Sequence, residues 1–269
     1  ETVCGMGHGS HLLMLVSGGA SSLAEVPADG LDLDGFRAKT QELLGSGADI
    51  HAMNKVRRAL SRIKGGRLLA HFPGARITTL ALSDVEGGAL SVIGSGIGDA
   101  PDASTFSFTP RIIASNAIAR DSVVAKAENM GLHCRTNSET LYQDITVVGP
   151  KIARTLNSGA AGVHLWGGEP TVVLPPEPGQ GGRNQALALT IARDIAGREG
   201  LTVLVAGTDG TDGPTDAAGA VIDGETWDPS AAVALRAADA GAWLDTRGAL
   251  LRTGPTGTNV MDLVIALKA

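Results

Sequence analysis

Aromatic residues are scarce in this 269-residue sequence, which contains three tryptophans, one tyrosine and four phenylalanines. Its core must therefore be built mainly from Ala, Val, Leu and Ile. Together with the 37 glycines, this aliphatic composition favours strands that alternate with helices and are joined by tight loops. The length is sufficient for one large domain or two modest ones. We therefore expect an α/β protein.

Other scarcities narrow the class of protein further. The two cysteines, Cys4 and Cys134, are too few for a disulfide framework, which favours a reducing cytoplasm. No uninterrupted apolar run reaches the ~20 residues that a membrane-spanning helix needs. Acidic residues outnumber basic ones and give a net charge of −6, so nucleic acid is not the expected partner. We expect a cytoplasmic protein that binds small molecules, with a homodimer left open as its oligomeric state.

The order of apolar runs predicts two domains. In the first half, strands at 11–16, 76–82, 91–93 and 111–115 alternate with helices at 34–44, 52–63 and 117–130, as in a parallel sheet with helical crossovers. The small, polar stretch 157–162 is typical of a linker. Beyond it we predict strands at 163–166, 171–174, 201–205, 250–253 and 259–267, and helices at 183–195 and 229–240. We therefore place the domains at 1–157 and 158–269.

The first candidate site is the small-residue loop 17–23, which follows the strand predicted at 11–16. Successive serines and glycines allow backbone N–H groups to converge on an anion. A Walker sequence is absent, because no Gly-Lys-Ser/Thr follows the loop. The loop therefore predicts either an anion-binding turn or an ordinary turn between strand and helix.

A basic segment at 54–67 contains six cationic residues within fourteen positions of an acidic protein. On a helix, Lys55, Arg58 and Arg62 share one face, and Lys64 stands beside the glycine pair that ends it. Such a local concentration of positive charge attracts negatively charged substrates. A solvent-exposed basic helix face is the alternative. The functional interpretation is the binding of phosphate or carboxylate groups.

Arg183 begins a predicted helix directly after the glycine-rich residues 179–182. Because the helix dipole disfavours a cation in the first turn, we expect an anionic partner for its guanidinium, either carboxylate or phosphate. Glu169, before Pro170 on a tight turn, is placed to reach the same cleft. Two roles stay open for Asn184, as a ligand-binding residue or as the cap of the helix.

The stretch AGTDGTDGPTDAAGA at 206–220 places Asp209, Asp212 and Asp216 after the strand predicted at 201–205. Open α/β sheets bind ligands at the carboxyl ends of their strands. Mg²⁺ usually reaches a protein through one or two carboxylates together with substrate phosphates. We therefore expect a metal site at Asp209 and Asp212, with simple turn formation by Asp, Gly and Pro as the alternative. The segment 253–259 offers hydroxyl groups and backbone donors of a similar kind.

Nine segments spread over the chain carry a family resemblance. They read LVSGGASSL (15–23), NKVRRALSRIKGGRL (54–68), LALSDVEGG (80–88), VIGSG (92–96), IASN (113–116), GGEPTV (167–172), GGRNQ (181–185), AGTDGTDGPTDAAGA (206–220) and TGPTGTNVMDL (253–263). In this order they resemble the glycerate 2-kinase family of the MOFRL type, whose members are sometimes named hydroxypyruvate reductase. The resemblance implies phosphorylation of the 2-hydroxyl of D-glycerate with ATP and Mg²⁺. It also implies two α/β domains, a Rossmann-like first domain with a parallel sheet and a smaller MOFRL domain with a mixed sheet, and an active site in the cleft between them.

The resemblance further implies roles for individual residues. Arg183 is expected to stabilise charge on the transferring phosphoryl group, and Asp209 to position the metal. Lys64 is expected to replace a catalytic lysine that family members carry in a segment preceding the small-residue loop. The residues expected to contact glycerate or the nucleotide are Ser17, Gly18, Gly19, Ser21, Asn54, Arg58, Lys64, Asp84, Ser95, Asn116, Glu169, Asn184, Thr208, Thr256 and Asn259.

Departures from the family pattern leave two alternatives. No lysine precedes the small-residue loop in this sequence, so we expect a first domain that is truncated, and an inactive remnant that binds nucleotide or glycerate without turnover is one alternative. The other is an NAD(P)H-dependent hydroxypyruvate reductase, which requires Gly-x-Gly-x-x-Gly after a strand. The residues GSGIG at 94–98 do not complete that pattern.

Overall fold

The computed structural model describes the backbone of residues 2–45 and 50–269, and the side chains of residues 2–43 and 55–269. The chain forms two compact units, with the boundary between Ser115 and Asn116. The first unit contains a sheet of three parallel strands, and the second contains a six-stranded sheet of mixed direction. The predicted α/β class, with a parallel first sheet and a mixed second sheet, is confirmed.

The first unit is built on three strands that are hydrogen-bonded in chain order: β1 (His11–Val16), β2 (Arg76–Leu82) and β3 (Ser107–Ala114). Its helices are α1 (Ala20–Leu23), α2 (Leu33–Gly45), α3 (Ile50–Ala59) and α4 (Arg67–Ala70). These four helices lie in the long crossover between the parallel strands β1 and β2, and the crossover between β2 and β3 contains short 3₁₀ segments instead. The strands predicted at 11–16 and 76–82 are confirmed.

The core of the first unit lies on one face of this sheet. Along β2, Ile77, Thr79 and Ala81 are buried, and the intervening residues are more exposed. This alternation follows from the two-residue period of a strand. Val16 of β1 and Ile93 pack with Ala81 in one apolar cluster.

The strand predicted at 91–93 is wrong. The amides of Val92 and Ile93 donate to the carbonyl of Ala89, and the amide of Ser95 donates to that of Val92, so the segment closes into local turns. Ile93–Gly96 is a short 3₁₀ helix in which Ser95 has a φ of 60°. That left-handed conformation turns the chain and is unusual for a residue other than glycine.

The six strands of the second unit occur in the spatial order β4-β5-β9-β6-β7-β8. They are β4 (Cys134–Leu141), β5 (Gly162–Gly168), β6 (Leu201–Gly207), β7 (Gly219–Asp223), β8 (Leu250–Leu251) and β9 (Asp262–Lys268). β4 and β5 are parallel, and the other pairs are antiparallel. The helices are α5 (Asn116–Asn129), α6 (Ile145–Ser158), α7 (Arg183–Asp194), α8 (Ala231–Arg236) and α9 (Ala240–Asp245).

Helices cover both faces of the second sheet. α7 is apolar around most of its circumference, and its residues Leu187, Leu189 and Ile191 are fully buried in a large cluster with α6. On the other face, Ala127 of α5 packs against Leu165 of β5. Every residue of β5 is buried, which is expected of a strand that is covered on both faces.

The boundary between the units differs from the predicted boundary at 157. Residues 116–157 belong to the second unit because β4 pairs in parallel with β5 and because α6 packs on α7. With the boundary after Ser115, the second unit, residues 116–269, is longer than the first.

Several second-unit elements also differ from their predictions. Residues 171–174 form no strand, and Thr171 makes only an isolated bridge to Asp144. The helix predicted at 229–240 is two short helices, because Ala238 adopts a φ of 51° between them. None of the helices in the described part of the chain is both long and apolar enough to cross a membrane.

Candidate functional site

The N-terminus of α7 is capped by a carboxylate from a distant part of the chain. Oδ1 of Asp212 accepts a hydrogen bond from the amide of Asn184 at 3.0 Å, and Oδ2 accepts one from the amide of Gln185 at 2.7 Å. Gly182 holds the N-cap position and has no side chain that could do this. A Cβ on Gly182 would lie 2.2 Å from Cγ of Asp212, so the cap requires glycine there. The helix cap is therefore Asp212, and Asn184 supplies an amide to it.

Arg183, the first residue of α7, is held between two carboxylates. Its Nε donates to Oδ2 of Asp262 at 2.7 Å, and its Nη2 donates to Oδ1 of the same residue at 3.3 Å. Its Nη1 lies 2.8 Å from Oε1 of Glu169. The anionic partner that the sequence led us to expect is thus present within the protein. Arg183 keeps 35% of its side chain exposed, so it still faces solvent.

Asp262 was not among the candidate residues. It is the first residue of β9 and lies 79 positions after Arg183, so no local pattern links the two. The sequence signal was limited to an acid at the second-last position of the segment TGPTGTNVMDL. A buried carboxylate beside a helix that begins with Arg is nevertheless a natural partner for that cation.

Burial controls the titration of both aspartates. Burial raises the pKa of Asp212 to about 6, although the two backbone hydrogen bonds from α7 lower it. Burial also raises the pKa of Asp262, against the opposing hydrogen bond and charge of Arg183. Burial lowers the pKa of Arg183, but Asp262 and then Glu169 outweigh that effect and raise it. The site is a compact set of coupled charges that keeps Arg183 cationic.

Three residues that were predicted to contact glycerate or the nucleotide are hydrogen-bonded to the backbone that leads into β9. Nδ2 of Asn116 donates to the carbonyls of Val260 and Asp262, both at 3.0 Å. Oγ1 of Thr208 donates to the carbonyl of Met261 at 2.7 Å and accepts from the amide of Val260 at 2.8 Å. Oδ1 of Asn259 accepts from the amide of Met261 at 2.9 Å. These contacts fix the position of Asp262.

Met261 adopts a φ of 68°, which is a rare conformation for a residue with a long side chain. The three side chains that bind the segment around it stabilise this turn. The strained backbone directs the chain into β9 immediately before Asp262. The conformation is therefore maintained by the same contacts that position the partner of Arg183.

Asp209 lies on a turn between β6 and the cap residue Asp212. Its Oδ1 accepts from the amide of Thr211 at 3.0 Å, and its side chain is only partly buried. Thr256 joins the two glycine-rich segments, because its Oγ1 donates to the carbonyl of Thr208 at 2.6 Å and its amide donates to that of Asp209 at 3.1 Å. The segments 206–220 and 253–259 therefore form one structure.

These groups line a cavity of about 360 Å³ within the second unit. The residues around it are Val172, Leu174, Gly181, Gly182, Arg183, Asn184, Ala186, Asp209, Thr211, Asp212, Gly213, Pro214, Ala238, Ala240, Asn259 and Asp262. The volume lies in the range of small-molecule sites. The cavity brings together the candidates Arg183, Asn184, Asp209, Asp212 and Asn259.

The two aspartates predicted to bind metal differ in their availability. Both oxygens of Asp212 accept backbone hydrogen bonds, and the residue is 3% exposed, so the residue as placed does not suit a metal ion. Asp209 lines the cavity with a partly exposed carboxylate, which fits the single protein contact that Mg²⁺ often makes. Among the residues that the structure describes, no three His, Cys, Asp or Glu side chains are grouped to hold a metal.

In the first unit, the predicted small-residue loop is a single helical turn. The amides of Ala20, Ser21 and Ser22 donate to the carbonyls of Ser17, Gly18 and Gly19 respectively. These donors are therefore used within the loop. A Cβ on Gly18 would lie 1.6 Å from Oδ2 of Asp84, which shows how closely Asp84 covers the loop.

Lys64 is buried against this loop and is hydrogen-bonded to it. Its Nζ donates to the carbonyl of Ser21 and lies 2.9 Å from Oε2 of Glu25. Oγ of Ser21 is hydrogen-bonded to Oγ of Ser95 at 2.8 Å. Lys64 is 1% exposed, so its ammonium group does not face solvent in this structure. The predicted binding residues Ser21, Lys64 and Ser95 thus meet, and they bind one another.

The remaining first-unit candidates lie near the end of α3. Nη2 of Arg58 donates to the carbonyl of Ser91 at 2.8 Å. Arg67 donates to the carbonyls of Arg58 and Ser61. These cations therefore bind backbone oxygens of the protein. The side chain of Asn54 lies outside the described residues.

Two family models match the sequence. One is a domain of unknown function, DUF4147, over residues 1–129, and the other is the MOFRL family over residues 162–262. The two matched ranges together cover most of the chain.

Curated relatives and a solved structure are similar to nearly the whole chain. A D-glycerate 2-kinase from Thermotoga maritima is 37% identical, over 99% of this chain and 74% of that protein. A protein from Agrobacterium vitis that carries the name hydroxypyruvate reductase is 35% identical, over 94% of this chain and 78% of that protein. The crystal structure of glycerate kinase from Thermotoga maritima matches with a TM-score of 0.90 at 33% identity, covering 100% of this chain and 75% of that chain.

Proposed function

This chain belongs to the glycerate 2-kinase family, and from that premise we propose that it transfers the terminal phosphoryl group of ATP to the 2-hydroxyl of D-glycerate, with Mg²⁺. The glycerate oxygen forms a bond to the terminal phosphorus. The bond between that phosphorus and the oxygen bridging to the β-phosphate breaks, and ADP leaves. The hydroxyl proton is released, so the products are 2-phosphoglycerate, ADP and a proton.

The observation that carries the proposal is the setting of Arg183. Phosphoryl transfer depends mainly on positioning and on charge stabilisation, which a preorganised cation supplies. Asp262 holds two nitrogens of the guanidinium at a fixed orientation, and Glu169 holds the third. The Glu169 side chain is 50% exposed, so its ion pair contributes little and can open at small cost. Nη1 of Arg183 is then free to donate to an oxygen of the transferring phosphoryl group.

Asp209 is the residue that we propose for Mg²⁺. Bound together with the nucleotide, the ion neutralises negative charge on the phosphates. Asp212 serves a different purpose in this proposal, because its carboxylate caps α7 and thereby fixes the position of Arg183. The substitution of Asp212 would therefore change the orientation of Arg183 rather than remove a metal ligand.

In the first unit we assign an anchoring role to Lys64. Its ammonium group binds the carbonyl of Ser21 and the carboxylate of Glu25, so it fixes the loop 17–23. The predicted binding residues of that loop, Ser17, Gly18 and Gly19, remain our candidates for contact with substrate anions. A homodimer and a cytoplasmic location likewise remain predictions.

The kinase proposal is tested by coupled ADP production with D-glycerate, ATP and Mg²⁺, followed by separation of 2-phosphoglycerate from 3-phosphoglycerate. We expect the 2-phospho product. Formation of the 3-phospho product alone would contradict the assigned regiochemistry. A folded chain that binds ATP without turnover would instead be the inactive remnant.

The reductase alternative is supported by the name that the Agrobacterium vitis relative carries. Oxidation of NADH in the presence of hydroxypyruvate measures it directly. The proposal predicts no such oxidation, since residues 94–98 do not form a dinucleotide-binding pattern.

A further inference from the structure

The lining of the second-unit cavity falls into a polar set and an apolar set. Arg183, Asn184, Asp212 and Asp262 are linked by hydrogen bonds, so they occupy one contiguous part of the surface. The rest of the lining includes six apolar residues, which are Val172, Leu174, Ala186, Pro214, Ala238 and Ala240. The cavity therefore combines a hydrogen-bonded charged set with several apolar side chains.

Small residues border the cavity beside these apolar side chains. Gly181 lies against the backbone between α8 and α9, where a Cβ would be 3.0 Å from the amide nitrogen of Gly241. Ala238 and Ala240 present only methyl groups at the same place. On the segment that follows Glu169, Leu174 is 57% exposed, so a large apolar side chain borders the opening. A flat ring is the kind of group that such a surface suits.

The charges of the lining disfavour a small anion. Asp209, Asp212 and Asp262 contribute three carboxyl groups against the single guanidinium of Arg183, which already binds Asp262. Glycerate is an anion of three carbons with two hydroxyl groups and no apolar face. It would gain nothing from the apolar lining, whereas the proposed nucleotide brings Mg²⁺ with its phosphates, which offsets the negative charge of the carboxylates.

Asn184 provides an independent sign that a ligand belongs in the cavity. The residue lines the cavity and is 1% exposed, and its Oδ1 accepts no hydrogen bond from any of the described residues. A buried acceptor without a donor is costly, so a bound group with an O–H or N–H is expected to satisfy it. Ribose hydroxyls and base amino groups are donors of this kind.

From these observations we infer that the cavity of the second unit is the nucleoside pocket, with the base of the nucleotide packed against Val172, Leu174, Ala238 and Ala240. The inference rests on the proposed kinase function and specifies which of its two substrates this cavity receives. The phosphates of the nucleotide then extend toward Arg183 and Asp209. Glycerate binds outside this cavity, except for the hydroxyl that meets the terminal phosphate.

The test compares two adjacent substitutions, Leu174→Asp and Val173→Asp. Both residues are exposed, at 57% and 85%, so neither change is expected to prevent folding, and thermal unfolding checks this. Leu174 lines the cavity, whereas Val173 does not. The probe is adenosine without metal, titrated by calorimetry against the whole chain. We expect equal affinity for the native chain and Val173→Asp, and a loss of at least about tenfold in Leu174→Asp, where a charge replaces apolar contact.

Steady-state kinetics separates this inference from the kinase proposal. We expect Leu174→Asp to raise KM for ATP while KM for glycerate stays unchanged. Failure of the native chain to bind adenosine overturns the inference, as does a rise in KM for glycerate alone. If adenosine binds as expected but no ADP is formed, the kinase proposal fails and the nucleoside pocket stands. If ADP is formed with an unchanged KM for ATP in Leu174→Asp, the inference fails and the kinase stands.

Discussion

Lys64 of the first unit follows a basic segment, and Arg183 of the second follows a glycine-rich one. Both residues form an ion pair with a glutamate. Their surroundings differ. The Lys64 and Glu25 side chains are 1% and 8% exposed, whereas those of Arg183 and Glu169 are 35% and 50% exposed. A buried pair cannot release its cation without leaving a charge unpaired in the interior. A half-exposed pair can be exchanged for a ligand contact at little cost. Burial, rather than residue type, therefore separates the cation to which we assign an anchoring role from the one that we propose acts on a substrate.

The largest expected effect on stability comes from breaking the buried pair. We predict that Lys64→Met lowers the free energy of unfolding by about 3–5 kcal/mol, because Glu25 is left buried without a counter-charge. The double variant Lys64→Met with Glu25→Gln should regain part of that loss. Urea denaturation followed by circular dichroism measures both. A loss below about 1 kcal/mol in the single variant would show that the pair is not a buried anchor.

The second prediction concerns pH and the cap of α7. The pKa of Asp212 is raised from 3.8 to about 6 in the folded protein, so this group favours the folded state below about pH 4. This contribution is lost as the pH rises through 6. It amounts to about 3 kcal/mol, because the pKa is raised by about two units and each unit corresponds to about 1.4 kcal/mol.

Asp212→Asn removes this titration. We expect its unfolding free energy, measured by urea denaturation between pH 4 and pH 7, to fall less steeply with rising pH than that of the native chain. Identical pH profiles for the two proteins would contradict the raised pKa.

We expect a smaller loss in the free energy of unfolding when Gly182, the N-cap residue of α7, is replaced. In Gly182→Ala the new Cβ meets Asp212 at 2.2 Å, so either the cap or the start of α7 must shift. We predict a loss of about 1–3 kcal/mol, as for other insertions into packed positions. Gly9→Ala is the matched control, because a Cβ there meets nothing within 4 Å. Equal thermal stability of the two variants would show that α7 tolerates the displacement of Asp212.

The smallest effect is expected for the exposed ion pair. Glu169→Gln should change the free energy of unfolding by less than about 1 kcal/mol, since Asp262 still holds Arg183. Glu25→Gln, the same substitution in the buried pair, should cost clearly more. Urea denaturation of the two variants side by side measures the contrast directly. Equal losses would remove the distinction between the two pairs.

Several strands and site residues could be predicted from the sequence, but the contacts between distant charged residues could not. The strands at 11–16, 76–82 and 201–205 were predicted from continuous apolar runs, which keep their meaning without tertiary context. β4 was not predicted, because its sequence CRTNSETL is polar and only Leu141 is buried. The acid-rich loop and Arg183 were each predicted to contribute to the site. Their contacts depend on residues up to 79 positions apart, which no local pattern encodes.

The most direct test of the account is the turnover number for 2-phosphoglycerate formation by Arg183→Gln, measured beside Arg193→Gln. Arg193 lies on the same helix, pairs with Asp194 and is absent from the cavity lining, so its substitution is the matched control. We predict that Arg183→Gln remains folded and loses about 10²-fold or more in kcat, as when a preorganised charge stabiliser is removed, while Arg193→Gln keeps the native kcat. Native turnover in folded Arg183→Gln would contradict the assignment of Arg183 to phosphoryl transfer.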